Sequence, residues 1–295
     1  MVSRRTGDTG LTAAAQEHPV LLVLAAVLSV QFGGALAATL LPLVGVFGSV
    51  LLRILLAAVL LVVLVRPRWR GRSRQDWVTV TGFALTLTAM NICFYASLER
   101  LPIGVAVTIE FLGPLLLAAV TSRRGRDALA VLLALLGVLL ISEVLSVPWA
   151  RMDFVGIGLA AAAGGFWAAY IVLSGRTGTR FEGLDGMAIA LVIGAVAMLP
   201  LGVLGAGSAL LDGDVLLRGL GIALLSSAIP YSLELLALRR LSAGVFGVLL
   251  SLEPAAAALA GLLVLSQTLA PLQVLGMALV VSASIVVLGR RGRGT

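Results

Sequence analysis

Arg100-Leu101-Pro102-Ile103-Gly104-Val105-Ala106-Val107-Thr108-Ile109-Glu110-Phe111-Leu112-Gly113-Pro114 finds its counterpart 140 residues later in Arg240-Leu241-Ser242-Ala243-Gly244-Val245-Phe246-Gly247-Val248-Leu249-Leu250-Ser251-Leu252-Glu253-Pro254. Arg, Leu, Gly, Val and Pro keep one register, and a small apolar run follows each proline, Leu115 to Val120 and Ala255 to Ala260. Leu, Gly and Ala are common in this chain and match by chance, but the joint register of the five types reads as an internal repeat. The two copies open the fourth and ninth of ten apolar spans, at roughly 20–40, 45–65, 77–97, 101–121, 128–143, 154–174, 186–204, 218–238, 241–264 and 270–289. A unit of five spans is odd, so the second copy enters the membrane from the side opposite the first. The expected fold is all-α and integral to the membrane: ten transmembrane helices as two inverted five-helix repeats, residues 19–143 and 144–289, flanked by tails 1–18 and 290–295.

Composition excludes a soluble domain. Sixty per cent of the 295 residues are hydrophobic and twelve per cent charged, with a mean hydropathy of +1.12. Pro19 to Leu52, Val78 to Leu98, Phe154 to Ser174 and Pro254 to Gly289 carry no charge, and about 20 apolar residues make one helical crossing. The first and last runs are too long for one span. Each has a turn signal, at Leu41-Pro42-Leu43-Val44-Gly45 and at Ser266-Gln267-Thr268-Leu269-Ala270-Pro271, and reads as a helical hairpin.

All 21 basic residues are arginine, and their placement sets the topology. Seventeen fall in the amino-terminal tail and on the alternate segments of its side; only Arg100, Arg151 and Arg218 fall opposite, and Arg53 lies within a span. The positive-inside rule places both termini and the arginine-rich loops in the cytoplasm, in the manner of a multi-pass bacterial inner-membrane protein. Arginine spread over loops fits topology and contact with anionic lipid, not nucleic acid. Met1 to Glu17 reads as an uncleaved tail; Arg4-Arg5 is followed by Thr6-Gly7-Asp8-Thr9 where a twin-arginine signal would soon turn apolar. With Cys93 and His18 the only residues of their types, an internal disulfide and a Cys/His metal cluster are excluded, and no cofactor is implied.

Arg53, Glu110, Glu234 and Glu253 lie inside otherwise apolar spans. A charge at the bilayer centre costs roughly 2.5 to 3.5 kcal/mol on insertion scales, so such residues face a bundle interior and mark a substrate or proton path. Glu110 is a candidate proton acceptor or seat for a substrate ammonium; its structural alternative is an ion pair with Arg53. Arg53 is suited to hold a substrate carboxylate in its fork or to be a fixed partner of Glu110 or Glu253. Glu253 aligns with Gly113, one turn beyond Glu110, and precedes Pro254, which loosens the helix beside it. Tyr231 and Glu234 share a face at three-residue spacing, and Glu234 is near enough to Arg239-Arg240 to pair there instead. Gln31, Asn91, Trp167 and Tyr170 are further pathway candidates, each with a packing role as its alternative. Gly33-Gly34 and Gly164-Gly165 are close-packing signals.

Ser29-Val30-Gln31-Phe32-Gly33, Leu41-Pro42-Leu43-Val44-Gly45, Leu52-Arg53, Ile109-Glu110-Phe111-Leu112-Gly113-Pro114-Leu115, Thr121-Ser122-Arg123-Arg124, Pro230-Tyr231-Ser232-Leu233-Glu234 and Ser251-Leu252-Glu253-Pro254-Ala255 together resemble the drug/metabolite transporter superfamily of EamA type. Within it the chain looks most like bacterial inner-membrane exporters of threonine and homoserine. The resemblance runs from about residue 20 to 288 and implies ten helices in two inverted repeats, with export of small amino acids against protons. One departure stands out: Gln267 occupies a position where such proteins usually carry glutamate. Glutamine does not titrate, but it serves nearly as well if the role is helix capping.

The expected function is therefore secondary transport: a small amino acid accepted from the cytoplasm and released outside by alternating access, with protons as the counter-substrate. An exporter of the same fold for aromatic amino acids, cationic drugs or another metabolite is the nearest alternative. An intramembrane enzyme would need a nucleophile–base pair or a metal site, which the lone histidine and cysteine do not supply, so no catalytic residue is assigned.

Overall fold

The computed structural model describes residues 18–121, 125–142, 148, 153–256 and 270–288. The amino-terminal tail to residue 17, Arg123, Arg124, Arg151, Gln267 and the carboxy-terminal tail lie outside the described residues. Within them the fold is all-helical: α1 Pro19–Val65, α2 Arg74–Leu98, α3 Ile103–Thr121, α4 Gly125–Ile141, α5 Phe154–Arg180, α6 Asp185–Ala206, α7 Gly213–Ala223, α8 Ile229–Leu238, α9 Ala243–Leu250 and α10 Pro271–Leu288. A π-helical turn, Leu224–Ala228, joins α7 to α8 in one continuous rod. Six segments among the described residues are long and apolar enough to cross a membrane, and four shorter apolar helices, Pro19–Gly34, Asp127–Ile141, Ala243–Ala256 and Pro271–Val286, accompany them. Large apolar side chains stand on the outside, Leu64, Val120, Phe154, Leu204 and Leu211 among them, as a lipid-facing surface requires.

α1 is the first hairpin foreseen from the sequence. Its helical dihedrals break at Gly45, with φ 64° and ψ −174°, a conformation only glycine adopts freely. A straight helix would hold Leu36 and Leu52 roughly 24 Å apart at 1.5 Å per residue. Yet Gly221 lies against Leu36 and its near neighbour Gly219 against Leu52, so the two limbs, 19–44 and 46–65, run side by side. The second hairpin break, Ser266 to Leu269, lies outside the described residues.

The core gathers around α1, whose first limb packs on α7 and the π turn and whose second packs on α6. α2 lies against α5 and α6, α3 against α5 and α9, and α4 against α10. Three crossings are glycine contacts, where absent side chains let backbones approach: Gly113 on Gly164, Gly247 on Pro114, and Gly137 on Gly276. Only half of each paired-glycine signal is used this way. Gly33 and Gly164 are in tight contact, whereas Gly34 and Gly165 face open space.

α5 runs six residues beyond the expected end at Ser174. The apolar run ends before Arg176, but Gly178 packs on the Arg239 side chain and Arg180 pairs with Asp76 at 3.1 Å, so tertiary contacts carry the helix onward. Arg72 meets Asp185 at 2.6 Å at this end, both largely buried, and covers the Phe181 ring at 4.7 Å. Arg239 donates to the carbonyls of Phe181 and Gly183. The other end of α2 is tied to α5 by Arg100 and Asp153 at 3.3 Å. Asp153 caps α5, and the Gly156 amide holds its carboxyl below the usual range, with Arg100 adding to the effect.

Candidate functional site

Pro230 has no N–H, so the Ser226 carbonyl four residues earlier lacks its helical donor. The chain answers with the π turn: the Ile229 amide reaches back five residues to the Leu224 carbonyl, and the backbone there opens toward α1. Arg53, on the second limb of α1, fills the opening. Its Nη2 donates to the Ser226 carbonyl at 2.5 Å and to Tyr231 Oη at 2.8 Å, its Nε to Ser227 Oγ at 2.7 Å, and its Nη1 reaches Tyr95 Oη at 3.4 Å. The Tyr95 and Tyr231 rings stand 5.9 and 5.5 Å from the guanidinium carbon, close enough for cation–π attraction.

Polar contacts continue from there. Asn91 Nδ2 donates to Tyr231 Oη at 3.1 Å and to the Leu87 carbonyl at 2.8 Å. Tyr170 Oη donates to the Glu234 carboxylate at 2.8 Å, and the Tyr170 and Tyr231 rings lie 5.7 Å apart. Gln31 Nε2 donates to the Glu253 carbonyl at 3.3 Å. Trp167 sits edge-on to Phe111 at 4.8 Å, one residue from Glu110. Arg53, Glu110, Glu234, Asn91, Trp167, Tyr170 and Tyr231 are all buried, while Glu253 and Gln31 are half-buried.

The alternative role, an ion pair of Arg53 with Glu110 or Glu253, is not what the structure shows. Among the described residues no carboxylate lies within ion-pair distance of Arg53; its partners are a carbonyl, a serine and two tyrosines. A guanidinium carries five donors in a plane, and the opened backbone beside Pro230 offers them acceptors at short range. The carboxylates remain close enough to be felt: Arg53 couples electrostatically to Glu110, Glu234 and Glu253, and Glu253 to both other glutamates. Among the described residues no donor reaches the carboxylate of Glu110 or Glu253. Glu234, for which the Arg239-Arg240 end was an open alternative, bonds Tyr170 instead.

The nine pathway candidates, Arg53, Glu110, Glu234, Glu253, Gln31, Asn91, Trp167, Tyr170 and Tyr231, thus fall in or beside one cluster in which a cation and three carboxylates are held apart. Trp167 contributes packing. Tyr95, Ser226 and Ser227 were not foreseen, although Tyr95 stands four residues after Asn91 on the same helix face and Ser226 four before Pro230. No three His, Cys, Asp or Glu side chains among the described residues come together to hold a metal ion.

The model of the EamA-like transporter family matches residues 154–289. Over 268 residues, 90% of each chain, the sequence is 40% identical to the threonine/homoserine exporter RhtA of Escherichia coli K12 and 39% identical to that of Salmonella typhimurium SL1344. A crystal structure 19% identical in sequence superposes with a TM-score of 0.77 over 94% of this chain and 99% of its own, which shows a shared fold.

Proposed function

The chain belongs to the EamA-like transporter family, and from that membership we propose that it is an inner-membrane exporter of small amino acids of the threonine and homoserine kind, working by proton antiport with alternating access. The observation that carries the reading is 39–40% sequence identity to exporters of that name along nine-tenths of the chain. The buried cluster adds chemical support. A zwitterionic amino acid needs an anionic seat for its ammonium and a cationic one for its carboxylate, and Glu110 and Glu253 stand beside Arg53 without being neutralised by it in a direct pair. Carboxylates without a fixed cation are also free to take up and release protons.

Alternating access is assigned to two inverted five-helix repeats, residues 19–143 and 144–289, with ten crossings and both termini cytoplasmic. The packing pattern supports this reading. Exchanging the halves converts the contact of α2 with α5 into that of α7–α8 with the first limb of α1, and both exist. The crossings of α3 with α9 and α4 with α10 map onto themselves. At the latter a Cβ on Gly137 would lie 2.7 Å from the Gly276 carbonyl, and a Cβ on Gly276 2.7 Å from the Gly137 carbonyl, the reciprocity of a two-fold contact.

The test is uptake of labelled threonine and homoserine into inside-out vesicles, with and without an imposed pH gradient, for wild type, Glu110→Gln and Glu253→Gln. Gradient-driven uptake by wild type that either substitution abolishes is the expected result. Absence of uptake of both amino acids by correctly inserted wild type overturns the substrate.

A further inference from the structure

Two backbone carbonyls in the π turn lack their α-helical donors. Ser226 loses its α-helical donor because Pro230 has no N–H. Leu225 would receive the Ile229 amide in an α-helix, but that amide is bound to Leu224; its donor five residues on would again be Pro230. Both orphans are taken by side chains of α1, one from each limb: Ser29 Oγ donates to the Leu225 carbonyl at 2.7 Å, and Arg53 Nη2 to the Ser226 carbonyl at 2.5 Å. Gly33, one turn beyond Ser29, makes the approach possible, because a Cβ there would lie 2.0 Å from Ser226 Oγ and 2.8 Å from its amide nitrogen. Irregular backbone at membrane depth persists where it is buried in protein or lines a water-filled cavity, and here side chains from outside the helix bind it.

We propose that Ser29 and Arg53 are positioning residues that hold the Gly213–Leu238 rod in its wide-turn register, and that this turn is the hinge at which Tyr231 and Glu234 move relative to the outer half of the rod. It rests on the transporter reading only in taking that movement to serve transport. A wide turn and a regular α turn differ by the hydrogen-bond step from five residues to four. With Pro230 present, the step back to α gives Leu225 the Ile229 amide and leaves Ser226 dependent on Arg53. The hinge thus has two registers, and α1 biases them through two hydrogen bonds.

The decisive experiment is hydrogen–deuterium exchange on the full-length protein in lipid nanodiscs, which needs no transported substrate. Ser29→Ala raises exchange of the amides between 224 and 236 by roughly two- to tenfold, the factor set by one neutral hydrogen bond, and Ser29→Thr, which keeps the hydroxyl, restores it. Pro230→Ala supplies the missing amide, slows exchange there and makes Ser29→Ala nearly silent. Exchange in Ser29→Ala equal to wild type, or Pro230→Ala no slower than wild type, overturns the proposal, and the second arm decides it even if Ser29→Ala fails to fold. In vesicles, Ser29→Ala lowers the maximal export rate with the half-saturating concentration unchanged, because Ser29 touches backbone and not substrate; a shift in that concentration alone overturns the positioning role. If wild type carries neither amino acid, the exchange data still decide the hinge and only the substrate assignment falls.

Discussion

Replacing Gly113 by alanine drives α3 from α5 at the level of Glu110. A Cβ at 113 would lie 1.8 Å from the Gly164 carbonyl oxygen and 2.3 Å from its carbon, where real Cβ contacts stay above 3.0 Å. The obstacle is backbone, so no rotamer relieves it and the helices must part by about 1.2 Å. Overpacking of this kind costs about 1–3 kcal/mol. Glu110 lies one turn away and its own carbonyl is packed on Gly164, 2.6 Å from where a Cβ there would sit, so the carboxylate moves with the helix. A displacement of about 1 Å in a positioned group costs on the order of 100-fold in enzymes, and export should fall by roughly tenfold or more on the same reasoning. Gly165→Ala is the control: nothing lies within 4 Å of its Cβ, and alanine in a helix gains about 0.5–1 kcal/mol over glycine. Thermal unfolding in detergent and vesicle uptake, measured side by side, read both effects. Equal melting temperatures for the two variants would refute the reasoning.

Two further outcomes follow from single contacts. Tyr170→Phe removes the donor to Glu234 at 2.8 Å and leaves a buried carboxylate without a partner among the described residues, at a cost of about 1–3 kcal/mol; a melting temperature unchanged from wild type would show the bond to be dispensable. At the α2 start, Ser73 binds the Asp76 carboxylate through its hydroxyl at 2.8 Å and its amide at 2.9 Å, and Arg180 adds a third contact, holding that carboxyl below the ordinary value of 3.8. A depressed folded pKa gives stability that is present above 3.8 and lost as pH falls through the lower folded value. Wild type should therefore lose melting temperature with acid more steeply than Asp76→Asn; parallel curves would contradict the assignment.

The helices were legible because a bilayer leaves a coarse mark: a charge-free run of sufficient length crosses, and Gly45 with Pro42 marks the turn. The α5 extension was not, because Arg176 and Arg180 read as loop while their helix is held by Asp76 and Arg239 from elsewhere in the chain. Membership of the cluster was legible for a similar reason, since charge and tyrosine at membrane depth need a protein interior. Who bonds whom was not. Ser226 and Ser227 lie more than 170 residues from Arg53, and the strongest acceptor is a carbonyl exposed by a missing amide at Pro230. Sequence pairs opposite charges by default; the fold instead gives the cation neutral acceptors and keeps the carboxylates beside it.

Arg53→Lys separates these two arrangements. If Arg53 serves only as positive charge beside Glu110, Glu234 and Glu253, lysine keeps that charge and activity survives. If it serves as a planar fork, lysine fails, because one ammonium cannot reach Ser226, Ser227, Tyr231 and Tyr95 together. Hydrogen bonds to charged groups contribute about 1.5–3 kcal/mol each, and lysine, with three donors at a single point, forfeits at least one of the four and the planar geometry of the rest. Arg53→Lys and Arg53→Gln should therefore lose export and thermal stability to similar degrees, read by vesicle uptake and unfolding in detergent. Near wild-type behaviour of the lysine variant, with loss confined to glutamine, would mean that charge alone matters and that the fork around Ser226 is incidental.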